Sequence, residues 1–196
     1  MFLNKTMLKK FIKSSFKWEG LTVGRIYGGL VVAGGTWITW TEEGYIPNWL
    51  KAVVMEHTGE LPKQGYVFKA KKGEPIQYEI ADNELYDLPS MNARCSQACT
   101  VTPVIIDKKG QGVQRILQQN GTLRMLTVSE ERYKVIDLSE LGEEHAPSGP
   151  AMSVDGILIY KNEHSAYAFT PLDNMYGAAE KIARHVEMID FSEEER

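Results

Sequence analysis

Two cysteines and four histidines are the side chains best suited to bind a metal ion or to act as nucleophiles. Cys95 and Cys99 are spaced as CxxxC, without the second ligand pair that a structural zinc site normally needs. The histidines are scattered along the chain, which is more typical of surface or packed residues than of ligands. They are His57, His145, His164 and His185. The sequence therefore predicts no metal site and no bound cofactor.

Longer catalytic motifs are also missing from the sequence. It contains no GxSxG, no P-loop, no dinucleotide-binding glycine fingerprint and no HExxH, and its acidic residues are spread rather than paired. We therefore expect no catalytic residues and a protein that is not an enzyme. Cys95 and Cys99 could form a short disulfide outside the cytoplasm, whereas inside it they would be two ordinary thiols.

The charge is distributed unevenly along the chain. The 196 residues are 43% apolar, which is enough for one core, and their net charge is −4. Residues 1–25 contain six basic residues against the single Glu19, a net charge of +5. The remaining residues include 16 basic and 25 acidic side chains, a net charge of −9. This asymmetry indicates a specialised N-terminal segment.

Residues 1–20 have the pattern of a basic amphipathic helix. At about 100° per residue, the apolar and basic side chains fall on opposite faces. The apolar face holds Leu3, Met7, Leu8, Phe11 and Ile12, and the basic face holds Lys9, Lys10, Lys13 and Lys17. Two interpretations are open: the helix lies on an anionic membrane, or its apolar face docks on the protein's own body. Because no basic patch occurs elsewhere, no nucleic-acid partner is expected.

The segment that follows is uncharged over residues 26–41. As a helix its 16 residues would be about 24 Å long, and five more residues on the N-terminal side give 21–41, enough to cross a bilayer. Arg25, Trp37 and Trp40 would then lie at the membrane interfaces. We favour a single transmembrane helix over 21–41, in the inner membrane, with the N-terminus cytoplasmic and the acidic domain periplasmic.

Three other interpretations of this segment are open. Residues 23–41 could instead be a β-hairpin turned at Gly34-Gly35, because Thr, Trp and Ile favour strands. A signal peptide and a core helix are the other two, and they fit less well. If the segment is a spanning helix, its small residues would form one groove for close helix–helix packing, which predicts a homo-oligomer. These helix-association residues are Gly24, Gly28, Gly29 and Ala33.

The rest of the chain predicts an α+β domain over 45–191, an antiparallel strand-rich sheet with a C-terminal helix, followed by an acidic tail over 192–196. Short strands are predicted at 50–57, 65–70, 75–80 and 100–106, with Pro103 at an edge or bulge of the last one. A hairpin is predicted over 113–128. Its turn would be a type I′ Asn120-Gly121 pair, with Ile116 opposite Met125 and Val113 opposite Val128.

The C-terminal unit begins after a Gly/Pro/Ser-rich loop at 142–150. Two strands follow, at 156–162 and 165–170, and then a helix with Thr170 as its N-cap, Pro171 in its first position and Asp173 in a capping-box position. One apolar stripe of this helix would pack on the sheet. The stripe consists of Met175, Ala179, Ile182, Val186 and Ile189.

This layout resembles the single-spanning holins of T-even-type phages. The features that carry the resemblance are Arg25 at the start of the apolar segment, Trp37 and Trp40 near its end, and the block from Gly156 to Met188. The resemblance implies a protein that accumulates in the host inner membrane, associates with itself and opens lesions during host cell lysis. It also implies an inhibitory protein partner for the periplasmic domain.

Two hypotheses of different classes follow. The first is a membrane-anchored, self-associating protein with an extracytoplasmic binding or sensing domain, as in a holin. The second is a soluble β-rich binding or structural module in which residues 23–41 form a β-hairpin of the same sheet.

Overall fold

The fold is an antiparallel sheet with helices on both faces. The computed structural model describes residues 1–79, 81, 83–108, 112–137, 146–172 and 178–193. Eleven strands pair in the order β5-β4-β1-β2-β3-β11-β10-β9-β6-β7-β8. They are β1 (Leu21–Ile26), β2 (Gly29–Ala33), β3 (Trp37–Glu42), β4 (Val67–Ala70), β5 (Gln77–Glu79), β6 (Gln97–Lys108), β7 (Gly112–Gln119), β8 (Met125–Ser129), β9 (Ser148–Met152), β10 (Leu158–Lys161) and β11 (Ser165–Phe169).

Five α-helices among the described residues cover the two faces of the sheet. They are α1 (Lys5–Trp18), α2 (Asn48–Thr58), α3 (Leu88–Ala93), α4 (Glu130–Tyr133) and α5 (Ala178–Val186). Face A is the side to which Val23, Val32 and Tyr167 point, and α1, α2 and α4 contribute to its core. Face B is the opposite side, where α3 packs over the central strands and α5 packs over β6, β7 and β8.

Residues 21–41 form strands β1, β2 and β3 and not a transmembrane helix. The β-hairpin interpretation is closer, although the chain turns twice. The first turn is Tyr27-Gly28, with φ of 52° and 72°, and the second lies between Ala33 and Trp37. β3 then pairs with β11, so these strands lie inside the sheet. Strands covered on both faces have nearly continuous apolar sequences, which explains why the sequence of this segment also fits a spanning helix.

The predictions that depended on that helix are contradicted. Within the part of the chain that the structure describes, no helix has both the length and the apolar character needed to cross a bilayer. The transmembrane helix in the predicted fold class is therefore wrong, as is the inner-membrane location with a periplasmic domain. The holin and host-lysis assignment loses the spanning segment on which its layout depended. The chain is instead a β-rich module in which residues 23–41 belong to the common sheet.

The predicted helix-association residues do not share a helix face. Gly24 lies in β1 opposite Val31, Gly28 is in the Tyr27-Gly28 turn, and Gly29 and Ala33 are at the two ends of β2. The structure requires glycine at position 29 for a different reason, because a Cβ there would collide with a carbonyl oxygen of the neighbouring strand β3. The close approach that Gly29 permits is thus between strands β2 and β3. Self-association of the chain stays a prediction.

The prediction of a strand at 50–57 is wrong, because this region is helix α2. Its buried residues Leu50, Val53, Val54 and Thr58 recur at helical spacing and face the core. Adjacent valines suggested a strand, although tertiary packing often overrides such propensities. The strands predicted at 65–70 and 75–80 are present as β4 and β5, and β6 has its irregularity between Val101 and Ile105, around Pro103.

The hairpin predicted over 113–128 exists as β7 and β8, but its turn and register differ from the prediction. Ile116 pairs with Thr127, not Met125, and Arg115 pairs with Val128. The loop is longer than two residues, with positive φ at Gly121 and Leu123. Asn120 is held from outside the hairpin, because its N–H donates to the Ala98 carbonyl and its side chain accepts from Thr100. Contacts with β6 therefore replace the type I′ turn.

The two predicted C-terminal strands are present as β10 and β11, but the helix predicted from Pro171 does not begin there. Residues 170–172 are not helical, and the Leu172 N–H donates to the Thr127 carbonyl on β8 at 2.7 Å. Asp173, Met175, residues 138–145 and the last three residues of the tail lie outside the described residues. In α5 and the turn after it, Ala183 is buried, whereas Ile182 and Ile189 are 39% and 45% exposed. Ser148, predicted in a loop, begins strand β9.

Candidate functional site

Helix α1 is held in place at its N-terminal end. Asn4 caps it, because its Oδ1 accepts the Met7 N–H at 3.0 Å, and its Nδ2 donates to the Asp137 carboxylate at 3.2 Å. The preceding residues pair with the segment after α4, where the Asp137 N–H donates to the Phe2 carbonyl and the Asn4 N–H donates to the Val135 carbonyl. The helix is thereby fixed to face A and is not an independent arm.

The apolar side of α1 is buried in the protein's own core. Leu8 and Ile12 have no exposed surface, and the Ser15 hydroxyl accepts a hydrogen bond from Trp37 Nε1 at 3.2 Å. Phe11 lies 5.9 Å from the Trp37 ring. Docking on the protein's own body, one of the two interpretations of this helix, is therefore confirmed. A membrane surface cannot use the same apolar side chains, because they are already removed from water.

The basic side of α1 is exposed to solvent. Its five lysines span an arc of about 140° at 100° per residue, and they are Lys5, Lys9, Lys10, Lys13 and Lys17. We call this surface the lysine face. Lys10 pairs with Glu131 of α4 at 2.7 Å, and Lys17 Nζ lies 4.2 Å from the Trp18 ring centroid. Among the described residues, no carboxylate lies within ion-pair distance of the other three lysines.

The lysine face costs the helix stability. Lys5, Lys9, Lys13 and Lys17 form three successive like-charge i,i+4 pairs, each destabilising by about 0.2–0.5 kcal/mol. Lys5 also lies in the first turn, where the helix dipole disfavours a cation, and that turn has no acidic residue. Only Lys17, in the last turn, is favourably placed. Helix stability alone therefore does not explain the lysines, which is the main reason to assign them a function.

Among the described residues, the cysteines and histidines do not gather into one site. Cys95 and Cys99 are free thiols, so their disulfide stays a prediction. Burial raises the pKa of the Cys95 thiol, and burial together with the nearby Cys95 raises the pKa of Cys99 to about 11, which makes both poor nucleophiles. No group of three or more potential metal ligands occurs in the described ranges. The absence of cofactors and of catalysis stays a prediction.

The histidines have separate structural neighbours. His57 stacks on Phe16 with ring centroids 5.2 Å apart, which joins α2 to α1. His164 Nδ1 lies 2.7 Å from the Glu42 carboxylate, and its ring stacks on Tyr45. His185 Nδ1 lies 2.7 Å from the Lys181 carbonyl oxygen, one turn earlier in α5. His145 lies outside the described residues.

The residues predicted at the membrane interfaces also have structural roles. Arg25 forms a bidentate ion pair with Glu43 beside the Tyr27-Gly28 turn. This pair lines an open cleft of about 400 Å³. Glu43 neutralises the Arg25 guanidinium, so the described residues that line the cleft offer no unpaired charge for a ligand. Trp37 is buried against α1, and Trp40 Nε1 donates to the Tyr27 carbonyl at 3.1 Å.

The sequence pattern predicts four of the five lysines of the lysine face, and it leaves a membrane surface and the protein's own body open as the surface that α1 contacts. It omitted Lys5 and gave Trp18 no role. Trp18 is the last residue of α1 and is 65% exposed. The signal for Lys5 was present, because it extends the i,i+4 row of Lys9, Lys13 and Lys17 by one turn.

Comparisons with known proteins give a distant likeness in structure only. No protein-family model and no curated protein sequence matches the chain. The similar solved structures include the β subunit of DNA polymerase from Streptococcus pyogenes, with 9% identity and a TM-score of 0.34 over 91% of this chain and 66% of that chain. The Helicobacter pylori β clamp bound to a DNA ligase peptide has 9% identity and a TM-score of 0.35, over 92% of this chain and 68% of that chain.

The sliding clamp of Bartonella birtlesii, a DNA polymerase III β subunit, gives 7% identity and a TM-score of 0.25 over 92% of this chain and 66% of that chain. The chain thus spans about two thirds of the length of these clamps. Scores this low assign neither an activity nor a partner to the chain.

Proposed function

We propose that the protein is a nucleic-acid-binding module that contacts the phosphate backbone through the lysine face of α1. The observation that carries the proposal is the exposed row Lys5, Lys9, Lys13 and Lys17, of which the first three have no carboxylate partner in the described part of the chain. The proposal replaces the expectation of no nucleic-acid partner. The apolar side of α1 is packed in the core, and the basic side of such a helix can still bind phosphates.

The dimensions of the row suit a polyanion. Four residues of α-helix rise about 6 Å, so the 14 residues of α1 span about 21 Å. A duplex carries one charge per about 1.7 Å of its axis, so this length faces about six base pairs. Four ammonium groups along such a rod can each replace a condensed counterion, and the entropy of the released counterions drives binding.

The charge of the rest of the protein makes the contact local. Residues outside 1–25 carry a net charge of −9 and repel a polyanion, whereas the N-terminal segment carries +5. Binding is therefore oriented, with α1 toward the nucleic acid. Phosphate contacts carry no sequence information, so we expect weak sequence preference.

The test is binding of a fluorescein-labelled duplex, followed by fluorescence anisotropy over a range of salt concentrations. The wild type should bind with a Kd of about 10⁻⁴ to 10⁻⁶ M, and four phosphate contacts predict a log–log salt slope of about −3.6. The triple variant K9E/K13E/K17E should lose this binding entirely. Its melting temperature should stay close to wild type, because all three side chains are exposed.

A matched control changes the same charge elsewhere. Lys63, Arg124 and Lys181 are exposed and lie outside α1, so K63E/R124E/K181E has the net charge of the test variant with an intact lysine face. This control should keep most of the affinity. Equal losses in the two triple variants would show that only net charge matters, and a salt slope near zero would show that no phosphates are contacted. Either result refutes the proposal.

A further inference from the structure

The last residue of α1 is an aromatic side chain that the fold leaves uncovered. Trp18 is 65% exposed, whereas Trp37 and Trp40 are 6% and 7% exposed in the core. Lys17 Nζ lies 4.2 Å from the centroid of the Trp18 ring, so an ammonium group is held against the indole. Trp18 thus lies directly at the C-terminal end of the lysine face.

Two further lysines lie near this end of the helix. The Lys72 N–H donates to the Phe16 carbonyl at 2.9 Å, which fixes the segment after β4 beside the last turn of α1. The Lys69 side chain runs so close to Gly20 that a Cβ at Gly20 would collide with it. In the described part of the chain, neither lysine has a carboxylate within ion-pair distance. These two lysines therefore add positive charge beyond Trp18, beside the Glu19 carboxylate, which accepts the Gly35 N–H at 3.1 Å.

An exposed aromatic ring within a row of cations has the composition of a single-strand binding surface. Such surfaces combine lysines that follow the backbone with aromatic rings on which bases stack. Resting on the proposed function, we propose that Trp18 stacks on an unpaired base and makes the lysine face prefer single-stranded over duplex nucleic acid. The bases of a duplex are stacked on each other, so a duplex would contact the lysines alone.

The first test compares a labelled oligothymidine with a duplex of the same length. Trp18→Ala should weaken oligothymidine binding by about five-fold or more, the lower end of the range for loss of one stacked base. Its affinity for the duplex and its salt slope should be unchanged, because the lysines remain. Trp18→Phe keeps an aromatic ring and should keep most of the single-strand affinity.

The matched control is Tyr66→Ala. Tyr66 is 55% exposed, but its carbonyl accepts from the Arg25 N–H, at the end of β1 remote from Trp18. This variant should bind both probes as wild type does. Intrinsic fluorescence gives a second readout: oligothymidine should quench wild-type emission, and the quenching should be lost in Trp18→Phe, because the indole that stacks is gone.

The outcomes separate this inference from the proposed function. If K9E/K13E/K17E binds both probes normally, the lysine face itself is refuted. If the lysines matter but Trp18→Ala binds oligothymidine as wild type does, only the stacking role is refuted. Equal losses for both probes would mean that Trp18 merely positions Lys17, and would also overturn it. So would a dimer in sedimentation that Trp18→Ala dissociates without nucleic acid, since Trp18 would then contact a second copy.

Discussion

Helices α1 and α5 cover opposite faces of one sheet, and their surface charges are arranged differently. The α1 helix has five lysines and no acidic residue, and its four i,i+4 lysines repel one another. The α5 helix mixes both signs: Glu180 lies in its first turn and pairs with Arg184 at 2.5 Å, and its last turn is basic. Its charges therefore follow the helix dipole and the favourable pairing rule.

The difference shows which charges serve the fold. An amphipathic helix that needs only to pack can improve its stability with paired surface charges, as α5 does. The α1 helix lacks such stabilising pairs along its row of lysines. Its stability comes from Leu8, Ile12 and the other side chains in the core of face A. A one-sign surface that opposes the stability of its own helix indicates binding to a partner of the opposite charge.

The largest expected effect concerns apolar side chains of the two helices. Leu8→Ala should lower the free energy of unfolding by about 2–5 kcal/mol, because it leaves a cavity at a fully buried position. The counterpart Ile182→Ala should cost about 1 kcal/mol or less, since that side chain is 39% exposed. Urea denaturation measures both. Equal losses would show that the two helices contribute alike to the core.

The second effect is on the salt dependence of nucleic-acid binding. The variant K9A/K13A should reduce the magnitude of the log–log slope by about 1.8, because each phosphate contact contributes about 0.9. The α5 variant K181A/R184A removes two charges as well and should leave the slope unchanged. Anisotropy titrations between about 50 and 200 mM salt resolve this difference. A smaller slope for the α5 variant would assign phosphate contacts to face B.

A third, smaller effect should have opposite signs on the two helices. Lys9→Glu converts two repulsive i,i+4 pairs on α1 into attractive ones and should stabilise the protein by about 1 kcal/mol while weakening nucleic-acid binding. Glu180→Lys on α5 converts an attractive pair into a repulsive one and should destabilise by about 0.5–1 kcal/mol. Thermal melts decide the signs. Destabilisation by Lys9→Glu would mean that the lysines serve the fold after all.

The smallest effects concern exposed ion pairs. Arg184→Ala removes the pair with Glu180 and should cost about 0.3–0.5 kcal/mol, the usual value for an i,i+4 pair on a helix surface. Lys10→Ala removes the pair with Glu131, whose two side chains are 58% and 61% exposed, and should cost no more. Losses above 1 kcal/mol in denaturant titrations would show that these contacts are less hydrated than their exposure indicates.

Local sequence determined α1 and most of the lysine face. Within this one helix, apolar residues such as Leu8 and Ile12 alternate with lysines at helical spacing. This local pattern alone predicts which side of the helix is apolar and which is charged. The β4 and β5 strands and the existence of the β7–β8 hairpin were likewise readable from short patterns. What the apolar side of α1 covers was left open, because a periodicity cannot tell a core from a membrane.

Only the tertiary structure decided the state of residues 21–41. The uncharged run at 26–41 is compatible with a spanning helix and with buried strands, and the choice depends on partners remote in sequence. The β3 strand pairs with β11 and β1 pairs with β4, while helices cover both faces. The backbone N–H and C=O groups of this segment form hydrogen bonds with these strands, whereas in a helix they would bond to residues of the same segment. The same apolar contacts withdraw one side of α1 from any membrane and leave its lysines as the surface available for binding.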